Sequence, residues 1–125
     1  KRGIAPLGGA HFRYLTRMGW GDAMYHLFLC DEFKADRALK IGLVQEVVPA
    51  GMQIERAMEV AQLIAKNAPI GIQVTKEAGL TFIAGGEKAA IGVIPEIRQR
   101  VFSTEDMKEG IQSFVERRQA VFKGR

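Results

Sequence analysis

Residues 35–49 (ADRALKIGLVQEVVP) place the tightest constraint on what this chain can fold into. Asp36 stands at a helix N-cap position, a short helical turn follows it, and Gly42 is expected to end that turn. Residues 43–48 are rich in β-branched side chains and predict a strand that Pro49 ends. A strand needs a neighbour, because its backbone N–H and C=O groups find no partners within it. The chain offers no second clear strand, so we expect an N-terminal half of the protein or a partner chain to complete the sheet.

The remainder of the sequence predicts helices. Apolar periodicity, together with glycine and proline breaks, places them at residues 10–18, 22–29, 51–67, 69–82, 87–102 and 104–118. Pro95 is expected to kink or restart the fifth of these helices. Ser103 is expected to cap the sixth, with Asp106 completing a capping box. This last helix presents one apolar stripe, formed by Met107, Ile111, Phe114 and Val115.

Composition excludes several classes of protein. The chain has 125 residues, of which 47% are hydrophobic, enough for one small domain with a core. No apolar run approaches the ~20 residues of a membrane helix. The single cysteine, Cys30, excludes an intrachain disulfide and is interpreted as a buried structural thiol in a reducing compartment. His11 and His26 have no carboxylate at metal-ligand spacing, which argues against a metal site. A start at Lys1 rather than Met leads us to expect a processed, cleaved or truncated product.

Positive charge is concentrated at the two ends of the chain. Residues 1–17 and 117–125 contain eight of the 18 lysines and arginines and no acidic residue, while the net charge of the whole chain is +4. Such ends suit phosphate groups or nucleic acid. Two solvated termini explain the same pattern. Nucleic-acid binding is the weakest hypothesis, because basic and aromatic residues do not alternate as they do in known binding motifs.

Three stretches resemble the crotonase (enoyl-CoA hydratase/isomerase) superfamily. Residues 35–49 resemble its A…A…GLV…VVP segment, and residues 3–14 resemble its G-x-x-P-x-x-G-G-T-Q-R-L loop and helix. Residues 103–124 resemble its closing S-x-D-x-x-E-G…F-x-E-K-R…F-x-G motif. The three motifs occur in the family's order. The resemblance covers essentially the whole chain, but only about the second half of the family's usual length.

The resemblance implies an α/β fold class. The chain would be the C-terminal part of a crotonase-like ββα spiral fold, mostly helical and with one clear strand. Residues 1–50 would end the spiral core, and residues 51–125 would form a helical region for trimerisation and for covering coenzyme A. The implied partners are an acyl-CoA thioester, the N-terminal half of the same protein, and further copies in a homotrimer or a dimer of trimers. Neither nucleic acid nor a membrane is expected as a partner. The implied location is the cytoplasm, with the mitochondrial matrix as the alternative.

The resemblance also implies a mechanism and site residues. Crotonases stabilise an enolate-like oxyanion with two backbone N–H groups, and the hydratases use two glutamates as general acid and base. All these positions precede Lys1, so we assign no catalytic residue, and neither Glu32 nor Glu46 is taken to fill the gap. No metal is expected, and no cofactor beyond the coenzyme A of the substrate.

Four positions match substrate contacts of the family. Pro6 and Leu7 match a Pro-Gly corner that lines the acyl pocket, where a backbone N–H faces the reacting centre. Phe114 and Arg117 match residues that cover coenzyme A. Leu7 departs from the usual glycine, and its side chain is expected to narrow or redirect the pocket. Residues 10–12 depart from the usual Thr-Gln, which suggests a subfamily and leaves its reaction and substrate open.

Two functional hypotheses follow. In the first, the chain is the C-terminal portion of an enoyl-CoA hydratase/isomerase-like enzyme, a lyase that is inactive without its N-terminal half. In the second, it is a non-catalytic oligomerisation or interaction module of a crotonase-like assembly.

Overall fold

The computed structural model describes residues 3–125, and the chain divides into two compact units, Lys1–Gln53 and Ile54–Arg125. The helices are α1 (Ala10–Leu29), α2 (Ala35–Lys40), α3 (Gln53–Ala65), α4 (Pro69–Gly92), α5 (Ile94–Phe102) and α6 (Glu105–Glu116). None of the helices in the described part is long and apolar enough to cross a membrane.

The predicted strand at residues 43–48 is wrong. This segment forms no strand, and no strand occurs anywhere between residues 3 and 125. The physical reason is that a strand exists only through hydrogen bonds to a neighbouring strand, and β-branched composition cannot supply one. Val44 and Val47 remain 36% and 40% exposed, so their apolar side chains are only partly covered within this chain.

In the first unit, glycines set the ends and the bend of the helices. The two predicted helices at residues 10–18 and 22–29 are one element, α1, interrupted at Gly19 (φ 77°, ψ 171°). Asp36 does not cap α2 as predicted; Lys34 occupies the N-cap, and Asp36 lies in the first turn, where its charge complements the helix dipole. After α2, Gly42 adopts a left-handed conformation (φ 76°), which lets the N–H of Leu43 donate to the carbonyl of Ala38 at 2.9 Å.

In the second unit, α4 extends further than predicted and bends at Gly86 (φ 71°, ψ −170°). The helix restarts as α5 with Pro95 in its first turn, which confirms the predicted restart. The two helices are joined by a bidentate ion pair, in which Arg100 donates to both carboxylate oxygens of Glu77 at 2.5 and 3.2 Å.

The cap of α6 differs from the prediction by one residue. Ser103 has helical angles (φ −82°, ψ −6°) and ends α5, so it cannot present the extended backbone that an N-cap requires. Thr104 does (φ −83°, ψ 151°), and its hydroxyl accepts a hydrogen bond from the N–H of Met107 at 3.0 Å. Asp106 therefore takes no part in the predicted capping box, and its carboxylate binds the backbone of Lys123 and Gly124 instead.

The apolar core of each unit is small. The buried hydrophobic residues of the described part are Ala23, Ala38, Ile41 and Val74. Cys30 is exposed, against its interpretation as a buried thiol, because it occupies the left-handed C-cap where α1 ends. Most of the predicted stripe on α6 is also exposed, with Phe114 at 84% and Val115 at 74%.

Candidate functional site

The loop before α1 is held by hydrogen bonds to its own carbonyls. The side chain of Arg13 donates to the carbonyl of Gly8 at 2.7 Å, and Nδ1 of His11 lies 3.0 Å from the carbonyl oxygen of Pro6. Gly9 caps α1 with φ 89°, and a Cβ at this position would lie 2.7 Å from Cζ of Phe12. Glycine is therefore required there, and the conformation of residues 5–9 depends on it.

Within this loop the backbone N–H of Leu7 is engaged. It donates to the carbonyl of Ala5 at 2.8 Å, while the Leu7 side chain is 83% exposed. The family resemblance implies that this N–H faces the reacting centre. To reach a substrate oxygen it would have to leave the carbonyl of Ala5.

Pro6 and Leu7 lie on the wall of a cavity of about 430 Å³ in the first unit. Apolar side chains form much of this wall, among them Ile4, Pro6, Leu7, Leu27 and Phe33. Polar side chains contribute too: Tyr14, His26, Cys30 and Asp31. A mostly apolar cavity with a few polar groups is the usual form of a small-molecule site.

His26 is the buried polar member of this lining, with 8% of its surface exposed. Nε of Arg37 donates to its Nε2 at 3.3 Å, and a terminal nitrogen of Arg37 pairs with the carboxylate of Asp22 at 2.6 Å. The imidazole packs against the ring of Phe33, with the ring centroids 4.4 Å apart. These contacts tie α1 to α2 and fix the orientation of the imidazole.

In the second unit the C-terminal segment, residues 118–125, is bound along α6 through Asp106. This carboxylate is 3% exposed and accepts the N–H groups of Lys123 at 2.7 Å and of Gly124 at 2.8 Å. In return, the carbonyl of Arg125 accepts the N–H of Glu105 at 2.7 Å. Two backbone donors of the segment are thus satisfied by one buried, charged acceptor, which makes strong hydrogen bonds.

Glu109 holds the start of the same segment. Its carboxylate binds Arg118 in a bidentate pair at 2.5 and 2.9 Å, and it also accepts the N–H of Val121 at 2.9 Å. Arg118 in addition donates to Glu116 at 2.5 Å. The hydrogen bond from Arg118, followed by the one from Val121, lowers the pKa of Glu109 from 4.5 to about 2.

Phe114 and Arg117 lie beside these contacts at the end of α6. Arg117 is the C-cap and adopts a left-handed conformation (φ 53°, ψ 38°) that costs a non-glycine residue about 1 kcal/mol. The neighbouring Arg118 is fixed by two carboxylates, and its N–H donates to the carbonyl of Ser113 at 3.0 Å, so the surrounding contacts impose this conformation. Arg117 and the 84%-exposed Phe114 therefore project from a rigidly held helix end.

The attachment of the C-terminal segment to α6 should weaken with falling pH over a defined range. Because the folded pKa of Glu109 is depressed to about 2, its stabilising contribution is present above the ordinary value of 4.5 and is lost as pH falls toward 2. We expect the amide of Val121 to exchange faster with solvent as pH falls through this window, once intrinsic exchange is corrected for. Replacing Glu109 with Gln should remove this dependence, and an unchanged pH profile in that variant would contradict the assignment.

The four predicted contact residues fall into two pairs. Pro6 and Leu7 share the cavity of the first unit, and Phe114 and Arg117 share the end of α6 in the second unit. Of the predicted basic N-terminal cluster, Lys1 and Arg2 lie outside the described residues. Within residues 3–125, no group of three or more His, Cys, Asp or Glu side chains is arranged to hold a metal ion.

Sequence reasoning missed His26, Asp106 and Glu109. Asp22 and His26 stand four residues apart on one helix face, a signal that could have drawn attention to them. Asp106 was assigned to a capping box and Glu109 appeared only as a letter of the closing motif, because the partners of both lie far along the chain.

Comparisons with known proteins agree with the resemblance in sequence. The family model described as enoyl-CoA hydratase/isomerase matches residues 1–125. A short-chain-enoyl-CoA hydratase of Clostridium acetobutylicum is 35% identical over 93% of this chain, and the match spans 44% of that protein. The protein of the same name from Clostridioides difficile is 37% identical over 90% of this chain and 72% of its own length.

Solved structures match equally well. A probable enoyl-CoA hydratase/isomerase of Mycobacterium abscessus superposes with a TM-score of 0.89 and 40% identity, over 99% of this chain and 48% of the other. An enoyl-CoA hydratase of Bacillus anthracis also gives a TM-score of 0.89, with 32% identity, over 98% of this chain and 48% of the other. The chain thus spans about half the length of most of these relatives. It belongs to the enoyl-CoA hydratase/isomerase family of the crotonase superfamily, and it corresponds to the C-terminal half of the family's fold.

Proposed function

We propose that this chain is the C-terminal part of an enzyme that hydrates or isomerises enoyl-CoA thioesters through an oxyanion-stabilised enolate. The observation that carries the proposal is the match of the family model to residues 1–125, while most of the relatives named above are about twice as long. The oxyanion-binding N–H groups and the catalytic glutamates would come from the N-terminal half. The chain alone would be inactive.

At the acyl end, we assign the cavity behind Pro6 and Leu7 to the acyl group of the thioester. Its volume of about 430 Å³ and its apolar wall suit a short acyl chain. Leu7 stands where the family has glycine, and its exposed side chain would border the acyl group and restrict its shape.

At the coenzyme end, Arg117 and Phe114 would bind the nucleotide of coenzyme A. Of the four basic residues at the C-terminal end, Arg118 is paired with Glu109 and Glu116, and Arg125 with Glu105. Arg117 has no carboxylate partner among the described residues, so its charge is available for a phosphate. The exposed ring of Phe114 offers a stacking surface for adenine. Pairing of half of this basic cluster also weakens the case for nucleic-acid binding.

The N-terminal half and further copies of the protein would cover the exposed apolar surface. In α3, Ile54, Met58 and Leu63 are 70%, 56% and 54% exposed, and residues 43–48 have no strand beside them in the described part. Apolar faces of this extent are typical of protein–protein interfaces. A homotrimer or dimer of trimers, as in the family, would supply such contacts. The relatives named above are bacterial proteins, which fits our cytoplasmic proposal and lends no support to the mitochondrial alternative.

A non-catalytic assembly module is the second candidate. The exposed apolar strip of Ile111, Phe114 and Val115 on α6 favours it, since such a strip can serve assembly without chemistry. The enzyme requires turnover of an enoyl-CoA and the assembly module does not, so one experiment separates the two candidates.

A complementation assay tests the proposal. The chain alone, the N-terminal half alone and the two together would be incubated with crotonyl-CoA, and loss of the enoyl thioester would be followed by its ultraviolet absorbance. We expect turnover only when both halves are present. Co-assembly of the halves without turnover of any enoyl-CoA would instead favour the assembly module.

A further inference from the structure

The end of α6 carries an arginine in a conformation that glycine adopts most easily. Arg117 is the C-cap and has a φ of 53°, which is unfavourable for residues other than glycine. Of the described residues with positive φ, seven are glycines, and Cys30 is the other exception. A glycine at position 117 would relieve the strain but would also remove the side chain. The strained arginine therefore indicates a functional use for its guanidinium at this place.

The contacts that impose this conformation come from the next residue. The N–H of Arg118 donates to the carbonyl of Ser113 at 3.0 Å, which closes the last turn of α6 around Arg117. The guanidinium of Arg118 binds both carboxylate oxygens of Glu109, at 2.5 and 2.9 Å, and its Nε donates to Glu116 at 2.5 Å. The backbone and the side chain of Arg118 are thus both fixed, so the peptide that follows Arg117 has little freedom.

Glu109 makes the most extensive contacts in this ion-pair cluster of Glu109, Glu116 and Arg118. Its side chain is 22% exposed, against 44% for Glu116, which makes a single hydrogen bond to Arg118. The Glu109 carboxylate also accepts the N–H of Val121 at 2.9 Å. A bidentate pair between arginine and a carboxylate fixes geometry as well as adding energy. Glu109 therefore contributes most to holding the chain on the C-terminal side of Arg117.

The charge of the ion-pair cluster opposes the binding of an anion. Two carboxylates surround one guanidinium, so the cluster has a net negative formal charge beside Arg117. Such a charge repels a phosphate. Any benefit of Glu109 to phosphate binding must therefore come from the position that it gives to Arg117 and not from its charge.

We propose that Glu109 is a positioning residue for coenzyme A, which acts through Arg118 to hold Arg117 in place before the ligand arrives. This inference rests on the proposed function, since it takes Arg117 to bind a phosphate of the coenzyme A nucleotide. A side chain that is already in place loses less conformational freedom on binding, and the ligand is bound more tightly as a result.

The test measures dissociation constants of the complete protein for two unreactive thioesters, butyryl-CoA and butyryl-pantetheine, which lacks the nucleotide and its phosphates. Glu109→Gln should weaken binding of butyryl-CoA about threefold, within the range expected for the loss of order in one long side chain. Binding of butyryl-pantetheine should be unchanged. General electrostatics predicts the opposite sign, since removing a carboxylate should strengthen phosphate binding.

Two further variants show whether the effect passes through Arg117. Glu105→Gln makes the same change of charge one turn earlier on α6, in the exposed pair with Arg125, and should not weaken binding of butyryl-CoA. In the background of Arg117→Asn, which itself should weaken binding of butyryl-CoA, Glu109→Gln should have no additional effect. A purely structural role of Glu109 would weaken binding in both backgrounds and for both ligands.

Four outcomes would overturn the inference while leaving the proposed function intact. They are unchanged or tighter binding of butyryl-CoA by Glu109→Gln, equal weakening for butyryl-pantetheine, equal weakening by Glu105→Gln, and a threefold loss that persists beside Arg117→Asn. Failure of the wild type to bind butyryl-CoA would instead overturn the proposed function itself. Thermal unfolding identifies a loss of fold. A misfolded Glu109→Gln would be replaced by Arg118→Lys, which keeps the charge, loses the bidentate geometry and should weaken binding in the same way.

Discussion

Replacing Asp106 with alanine is expected to destabilise the protein by about 3 kcal/mol, because the two backbone donors of Lys123 and Gly124 would lose their charged acceptor. The side chain is 3% exposed, so little water can take its place. Chemical denaturation of the complete protein measures the loss. Limited trypsin digestion should show faster cleavage after Arg118 and Lys123, since residues 118–125 would detach from α6.

Two control variants sharpen this test. Asp106→Asn keeps the shape of the side chain but only one acceptor oxygen, so its loss of stability should be intermediate. Glu105→Gln changes the charge of the adjacent residue, whose ion pair with Arg125 is exposed, and should cost less than about 0.5 kcal/mol. Equal effects of Asp106→Ala and Glu105→Gln would show that the buried carboxylate does not hold the segment.

Replacing Arg117 with glutamate is expected to weaken binding of CoA thioesters by at least about tenfold, the loss of one hydrogen bond to a charged group. The preference among acyl chains should stay unchanged, because that preference is assigned to the cavity of the first unit. Calorimetry with a series of saturated acyl-CoA ligands measures both quantities in the complete protein.

The controls for Arg117 separate its charge from its backbone. Asn tolerates the left-handed conformation at this position, so Arg117→Asn should keep the helix end and lose only the phosphate contact. Arg98→Glu makes the same change of net charge on α5, where Arg98 stacks on Phe102, and should leave binding unaltered. Equal weakening by both charge reversals would reveal a general electrostatic effect and remove Arg117 from the site.

Local signals predicted the helices well and their boundaries less well. The period of apolar residues and the position of Pro69 located α3 and the start of α4, and Pro95 located the restart at α5. The cap of α6 was misplaced by one residue, because both Ser103 and Thr104 carry a suitable hydroxyl. Backbone angles decide between them, because Ser103 has helical angles as the C-cap of α5 while Thr104 is extended.

Contacts between distant residues could not be predicted from sequence. The predicted strand at residues 43–48 has no neighbouring strand among the described residues, so composition alone gave the wrong assignment. The bonds of Asp106 join residues 17 and 18 positions apart, and Arg37 meets His26 across 11 positions. Periodicity shows which face a residue occupies but not which distant group lies opposite. The motif resemblance indicated the family. The partners of Asp106, Arg37 and His26 could be identified only from the three-dimensional structure.

The complementation assay becomes the most direct test of enolate chemistry when the reaction is run in D₂O. A protein that stabilises an enolate and protonates it will introduce deuterium into the acyl chain. We expect the two halves together to convert crotonyl-CoA into 3-hydroxybutyryl-CoA carrying deuterium at the α-carbon, as read by NMR. Intact crotonyl-CoA without deuterium, recovered from a correctly assembled protein that also leaves other enoyl-CoA chain lengths unchanged, would contradict it.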